Sequence, residues 1–557
     1  MLLLLPAVLA AEPPNLERAV VAEVERAMAA LRLPDAPPPY LCAIDVLDGT
    51  VTSAFAEGGA VVDRSRDPYR TSRVEVRVGD YAADSSNFFA FGEPEGIVSK
   101  PLPLEDAVLA LRREIWLATD LSYKQAVEQL SRKRAARSGD PTPRPHDYSP
   151  APSAVLPFAD APYPAAEEAW IVGLAERLSA AAGADPRVEI GQAIARDWQG
   201  RRLVVTSKGT RAWIPTGFTV VRVEGTARLA DGSTLTDARW WVARAASLLP
   251  PEEEMLAATR EMAAWLAGEH DAIAEEDYLG PVIFEAPAAV ELFSQLLAAE
   301  LAGSPPAEED QGGMAELAAP PSARIGRRLL PAGWTVVDDP TRDARVAGVY
   351  PLDHEGVAPR RVELVQDGVL RDVLMSRIPR KDLSGSTGHG RALGGDRRAA
   401  MPGYVTVTPP RTVSQRKLER VALRMAAQTG RDYVLVVRRI VPPALAESVD
   451  VTFTGEGPPA GLAPPYEAYR LYADGRRMPV RSLSFVGVDR RVLKDVVLAG
   501  ESPGPVDMLD GPPGPGRYQI GPTGGVPVTW DAPPVLIAEM ELTARPGGEP
   551  RALSVPR

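Results

Sequence analysis

The chain has 557 residues, too many for one ordinary core, so two or three domains are expected. Its 45% hydrophobic and 24% charged residues are globular proportions, while 56 prolines predict many breaks and connections. A net charge of −12 argues against a nucleic-acid surface, and the single cysteine, Cys42, excludes an internal disulfide and any multi-thiolate zinc site.

Residues 1–11, MLLLLPAVLAA, form an apolar run closing on small residues, which predicts an export signal removed after ten or eleven residues. The run is too short to span a bilayer. It lacks Lys and Arg, so a mis-set start codon is the other reading: the protein is expected in the periplasm or secreted if the signal operates, and in the cytoplasm otherwise. Residues 12–137 read as an N-terminal α+β domain. Leu16, Val20, Val24, Met28 and Leu31 recur at helical spacing, Tyr40–Val46 and Val51–Ala56 predict a hairpin turning at Asp48-Gly49, and Glu105–Lys133 predicts a long helix. Cys42 lies in an apolar run and reads as a buried strand residue. Residues 138–165 are Pro-rich and predict an exposed linker closing the first domain. Residues 166–280 predict a helix at Glu167–Ala182, then an antiparallel sheet with turns at Gln199-Gly200 and Ala230-Asp231-Gly232, then a helix over Glu252–Ala274.

The stretch Gly280–Gly303, GPVIFEAPAAVELFSQLLAAELAG, predicts a short buried strand feeding one helix. Pro287 suits a first helical turn, Val290, Phe293, Leu297 and Leu301 form an apolar stripe, and Gly303 with Pro305 and Pro306 supplies the stop. On physics alone this is a core helix.

The same stretch resembles the metal-site helix of the TldD/PmbA family, the modulator-of-gyrase proteins, whose peptidase branch carries HExxxH there. Ser294 and Ala299 stand at the two histidine positions and Gln295 at the glutamate position. After Ile325-Gly326 the family's motifs recur in order: Asp338-Asp339-Pro340, Asp353-His354-Glu355-Gly356, Arg361–Gly368, Ser376-Arg377 and Ser386–Arg391. The resemblance implies an α+β fold: an N-terminal α/β-sandwich-like domain, then a C-terminal domain (281–557) of curved, mainly antiparallel sheet with helices enclosing a groove. It also implies a third metal ligand, a cysteine near Gly511–Gly525, and none is present.

A zinc peptidase needs imidazole ligands and a carboxylate base, which Ser294, Gln295 and Ala299 do not supply. No catalytic residue and no zinc are therefore expected. Only His146, His270, His354 and His389 occur, and no two have the spacing of ligands on one helical face. His146 and His270 read as surface residues. His354, Glu355, Ser386, His389 and Arg391 are the candidates for a peptide groove. A Ser386–His389–Asp353 hydrolytic set can be drawn, but no GxSxG elbow surrounds the serine. Gly388–Gly395 lacks the Lys-Ser/Thr of a phosphate loop, and Asp338-Asp339 before Pro340 reads as a turn.

Three functions stay open. The first is an inactive family member that binds peptide or works as a homodimer or as a heterodimer with a zinc-bearing TldD-like subunit. The others are an active metallopeptidase with displaced ligands, and a structural envelope interaction protein. Neither nucleic acid nor a transmembrane segment is expected.

Overall fold

The computed structural model describes residues 14–89, 96–139, 142–158, 163–229, 232, 234–269, 272–274, 277–305, 307–309, 323–392, 397–440, 462–481, 483–511 and 525–544. The expected signal at 1–11, His270, and nearly all of the Gly511–Gly525 loop lie outside them.

The N-terminal sheet is built on long strands: β1 (Pro39–Glu57), β2 (Ala60–Val78), β3 (Ile97–Pro101), β4 (Val155–Leu156), β5 (Val188–Thr206), β6 (Arg211–Arg228) and β7 (Thr234–Ala243). Their order is β3-β2-β1-β5-β6, with β4 and β7 both pairing the free edge of β6. One end of the sheet packs on α1 (Asn15–Ala30) and α2 (Val108–Ala136), through Ile44, Val46, Val74 and Val76. The other end packs on α3 (Glu168–Ala182) and α4 (Glu252–Glu269), through Ala54, Ala195 and Val223.

This arrangement corrects two expected turns. Asp48-Gly49 and Gln199-Gly200 lie in mid-strand, where Gly49 is the cross-strand partner of Gly200. A Cβ on Gly49 would stand 2.3 Å from the Gln199 carbonyl oxygen, so glycine here permits a close backbone approach rather than a turn. The pair sits where β1 and β5 pass from one helix pair to the other. The chain turns instead at Gly58-Gly59, between β1 and β2.

The Pro-rich segment also departs from expectation, because β1 and β5, on opposite sides of it, share 15 paired positions in one sheet. It therefore separates no sheets, and its middle is not exposed. Asp147, Tyr148 and Ser149 are buried. The Tyr148 ring lies under two guanidinium groups, with the Arg77 and Arg377 Cζ atoms 3.6 and 4.2 Å from its centroid. Ser149 N donates to the Arg377 carbonyl at 2.7 Å. One buried aromatic between two cations thus fastens the segment to the C-terminal half.

Among the described residues, the C-terminal half holds two large sheets and a two-stranded ladder of residues 390–391 with 399–400. In chain order its strands are β8 (Tyr278–Phe284), β9 (Thr335–Asp338), β10 (Val362–Gln366), β11 (Val369–Leu370), β12 (Tyr404–Thr408), β13 (Tyr433–Ile440), β14 (Pro465–Tyr472), β15 (Arg477–Arg481), β16 (Leu483–Phe485), β17 (Val496–Ala499), β18 (Val506–Asp510), β19 (Val526–Asp531) and β20 (Val535–Ala544). One sheet runs β16-β20-β8-β13-β14-β15, edged by residues 273–274 and with β17 on β20; the other runs β11-β10-β9-β12-β19-β18. Most pairs are antiparallel, while β8 with β13, β12 with β19, and β15 with residues 273–274 are parallel. Helix α5 (Ala286–Leu301) shares the largest core with apolar residues of both sheets. Alternation along the strands decides the two faces: Val282, Phe284, Leu435 and Val437 join the α5 core, whereas Ile283, Val434 and Val436 pack under α6 (Gln415–Gln428). The fold is α+β, as expected.

Candidate functional site

Strand β8 ends at Phe284, Glu285 is extended, and α5 begins at Ala286 with Pro287 in its first turn. The helix is buried nearly all round, including Glu291, Ser294, Gln295 and Glu300, with Ala299 half-buried. A helix so enclosed must satisfy its polar side chains internally. Ser294 Oγ donates to the Glu291 carbonyl at 3.2 Å, and Gln295 Nε2 donates to Glu291 Oε2 at 3.0 Å. Gln295 Oε1 accepts from the Ala463 backbone N–H at 2.9 Å. The amide therefore serves as donor to a carboxylate and acceptor from the chain entering β14. Glu300 meets Arg490 at 3.0 Å, and its burial raises its pKa above the ordinary carboxyl value despite that arginine.

The second cluster comes from loops after β9, where Gly388 takes a positive φ of 74°. His389 is fully buried, its Nδ1 2.9 Å from Thr387 Oγ1 and its Nε2 3.2 Å from Asp338 Oδ1. This order of hydroxyl, imidazole and carboxylate has the outline of a hydrolytic triad. The Thr387 hydroxyl, however, is buried and bonded to both the N–H and the carbonyl of Met375. Asp338 accepts from Gly403 N and Tyr404 N. Buried and bonded in this way, the trio braces the loop between β9 and β12.

The remaining groove candidates have protein partners of their own. Asp353 accepts backbone N–H groups of Glu355, Val357 and Gly390, and burial, then the neighbouring Glu355 charge, pushes its carboxyl up to about 7. Glu355 is buried and accepts from Arg377 N at 2.7 Å. Arg391 is buried, donates to the Pro402 and Pro527 carbonyls, and stacks on Tyr350. His354 is half-buried, its Nδ1 accepts from Ala392 N, and burial together with Arg202, Arg391, Arg398 and Arg73 holds its pKa well below 6.5. Ser386, half-buried, donates to the Met375 carbonyl and accepts from Gly388 N. Ser386 and His389 share a loop without bonding, and Asp353 faces neither of them, so the Ser386–His389–Asp353 set is not assembled. His146 is exposed, as expected.

Three comparisons with known proteins bear on these geometries. Residues 277–457, which contain β8, α5 and both clusters, match the PmbA/TldA metallopeptidase C-terminal domain. That match spans about a third of the chain, and over it the chain is similar to the PmbA/TldA domain. A 73-residue segment is 37% identical to an Archaeoglobus fulgidus protein described as a metalloprotease; it takes in 13% of this chain and only 17% of that relative's length. Three solved structures share the fold over nearly their whole length. TldE from Thermococcus kodakarensis has a TM-score of 0.60 at 13% identity, covering 94% of this chain and 100% of that one. A candidate modulator of a DNA gyrase from Thermotoga maritima has 0.59 at 14%, covering 90% and 96%. A similar protein from Bacteroides thetaiotaomicron has 0.59 at 11%, covering 95% and 98%. At these identities the structures establish the fold alone.

The residues at the positions that resemble the HExxxH motif do not fit a zinc ion. Ser294 and Ala299 bring no imidazole, and the Gln295 amide is held on both sides. Among the described residues, no group of three or more His, Cys, Asp and Glu side chains could hold a metal. Glu291, the partner of Gln295, was missed in the sequence; its signal was the i,i+4 spacing of a carboxylate and an amide on one helix. Thr387 carried no comparable signal. Among the described residues no helix is long and apolar enough to cross a membrane.

Proposed function

We propose that this metallopeptidase-related chain is a catalytically silent family member, acting by binding peptide or by pairing with a zinc-bearing homologue. One observation carries the reading: the side chain at the general-base position is an amide bonded simultaneously to Glu291 and to Ala463 N. An amide cannot take a proton from water near neutral pH, and turning it toward a groove would break both bonds. Ser294 and Ala299 remove the two imidazoles as well, so the loss concerns both ligands and base.

Elemental analysis of the purified full chain should find far less than about one zinc per chain. Restoring Ser294→His, Gln295→Glu and Ala299→His together should leave zinc binding weak, because the thiolate is still missing. Light scattering should show association of the chain, alone or mixed with a zinc-bearing homologue. Stoichiometric zinc in the unaltered protein together with chelator-sensitive peptide cleavage would overturn the silent reading, and strictly monomeric behaviour in both mixtures would overturn the pairing.

A further inference from the structure

Helix α6 carries its cations where helix electrostatics disfavour them. Its apolar side, Leu418, Ala422 and Ala426, is buried against Ile283, Val434, Val436 and Leu536. Its other side exposes Arg416, Lys417, Arg420 and Arg424, whose side chains have no hydrogen-bond or ion-pair partner among the described residues. The helix's sole carboxylate, Glu419, is half-buried and faces Arg477 at 3.4 Å. Arg416, Arg420 and Arg424 repeat every four residues, so each neighbour in the column has the same charge, an arrangement that destabilises a helix. Arg416 and Lys417 also occupy the first turn, next to the positive pole of the helix dipole. The exposed side of α2 is built the other way, with Lys124 on Asp120 at 2.7 Å and Arg132 on Glu128 at 2.8 Å, both i,i+4 pairs. Solubility alone is met by the α2 pattern and does not account for a column of one sign on a chain of net charge −12.

We propose that the outer face of α6 docks an acidic polypeptide segment of a partner protein. The inference goes beyond the catalytically silent reading and does not depend on it. Three of the four cations are guanidinium groups, whose planar forks suit carboxylates. Their spacing, about 6 Å along the axis, matches carboxylates one helical turn apart or at alternate positions of a strand. The exposed side of α6 presents no large apolar or aromatic residue, which leaves nothing to insert into a bilayer or to stack on bases. The remainder of this acidic chain repels an extended polyphosphate, whereas a short acidic segment reaches the column, roughly 12 Å from Arg416 to Arg424, without crossing that field.

The test is fluorescence anisotropy on the full chain with a labelled helical peptide bearing glutamate at every fourth position. Unlabelled 20-base-pair duplex DNA and phosphatidylserine vesicles serve as competitors. The unaltered chain should bind the peptide, with affinity falling as salt rises, and the combined Arg416→Gln, Arg420→Gln and Arg424→Gln variant should bind at least about tenfold more weakly. Changing the exposed Arg476 and Arg491 to Gln should leave binding unaltered. Thermal unfolding of the α6 variant should be unchanged or slightly raised, since like charges have been removed. Equal binding by the α6 variant and the parent overturns the proposal, as does preferential displacement by DNA or vesicles. A lowered unfolding temperature does so too, by showing that the arginines serve the fold.

Discussion

Around α5, the C-terminal core holds small hydrogen-bonded sets inside an apolar shell, Gln295 with Glu291 and His389 with Asp338 and Thr387, and an isolated ion pair at the helix end, Glu300 with Arg490. Where the N-terminal sheet meets the C-terminal half, the same chain buries whole charges. Arg398 and Arg202 reach Asp45 at 3.1 and 2.6 Å, and Arg73 and Arg77 grip Glu75 at 2.9 and 2.5 Å. Farther along, Arg239 of β7 contacts both Asp237 and Glu467 of β14, which also receives Arg438 at 3.2 Å. Apolar packing tolerates small slips of one surface over another, whereas a buried ion network tolerates none, because each displaced charge is stranded in a medium of low dielectric. The contrast assigns different tasks to the two regions: the α5 core supplies adhesion, and the charged seam fixes how the halves meet.

The seam should therefore break more sharply than the core when one member is removed. Glu467→Ala leaves buried Arg239 with only one of its two carboxylates and strands Arg438 and Arg439 beside the gap, and should destabilise by about 3–5 kcal/mol in denaturant unfolding. Replacing Arg239 and Glu467 together by Met should cost much less than the single change. If the double replacement is as damaging as Glu467→Ala, side-chain volume matters at this seam and charge does not.

At the core the corresponding probe is smaller. Gln295→Glu replaces an N–H donor with an oxygen facing Glu291 Oε2 at about the present 3.0 Å, so two carboxylates would compete for one site. A loss of about 1–3 kcal/mol is expected near neutral pH. It should shrink as acid lets one carboxyl take a proton and restore a donor. A loss that stays constant from neutral pH to mildly acidic pH would mean that the Gln295–Glu291 contact contributes only shape. The result also bears on any attempt to restore the HExxxH pattern, since the local structure at 295 is built for an amide.

Legibility in the sequence followed periodicity. Helices α1, α3 and α5 fall within a few residues of expectation because each has an apolar stripe at helical spacing. Expected Glu252–Ala274 ends at Glu269, since the apolar residues beyond it edge a sheet instead. The Asp48-Gly49 and Gln199-Gly200 turns were misread because a glycine that allows strands to approach and one that allows a turn look alike in a single strand; only the pairing of Gly49 with Gly200 separates them. Tyr148 was hidden by its setting, one aromatic among prolines. The loops carrying Asp353, Glu355 and His389 have no period at all, and only the order of family motifs marked them. Their burial was not legible, because it depends on β9, β12 and the 147–149 segment closing over them.

The smallest effect expected is a pH dependence at the seam. Burial, opposed by Arg239 and reinforced by the Glu467 charge, pushes the Asp237 carboxyl up to about 7, against an ordinary value near 3.8. A carboxyl whose folded pKa is raised binds its proton more tightly when folded. Its stabilising contribution is complete below the unfolded pKa and is lost as pH rises through about 7. His354 acts in the opposite sense: its folded pKa lies well below 6.5, so acid favours the unfolded chain. The two are separated by comparing the protein with Asp237→Asn over the same range. Between about pH 8 and 6 the parent should gain about 1 kcal/mol relative to the variant, and His354, present in both, cancels. Denaturant unfolding at closely spaced pH values reads this directly. Parallel curves would mean that Asp237 stays ionised across the range and that the charges of Arg239, Arg438 and Arg439 outweigh its burial.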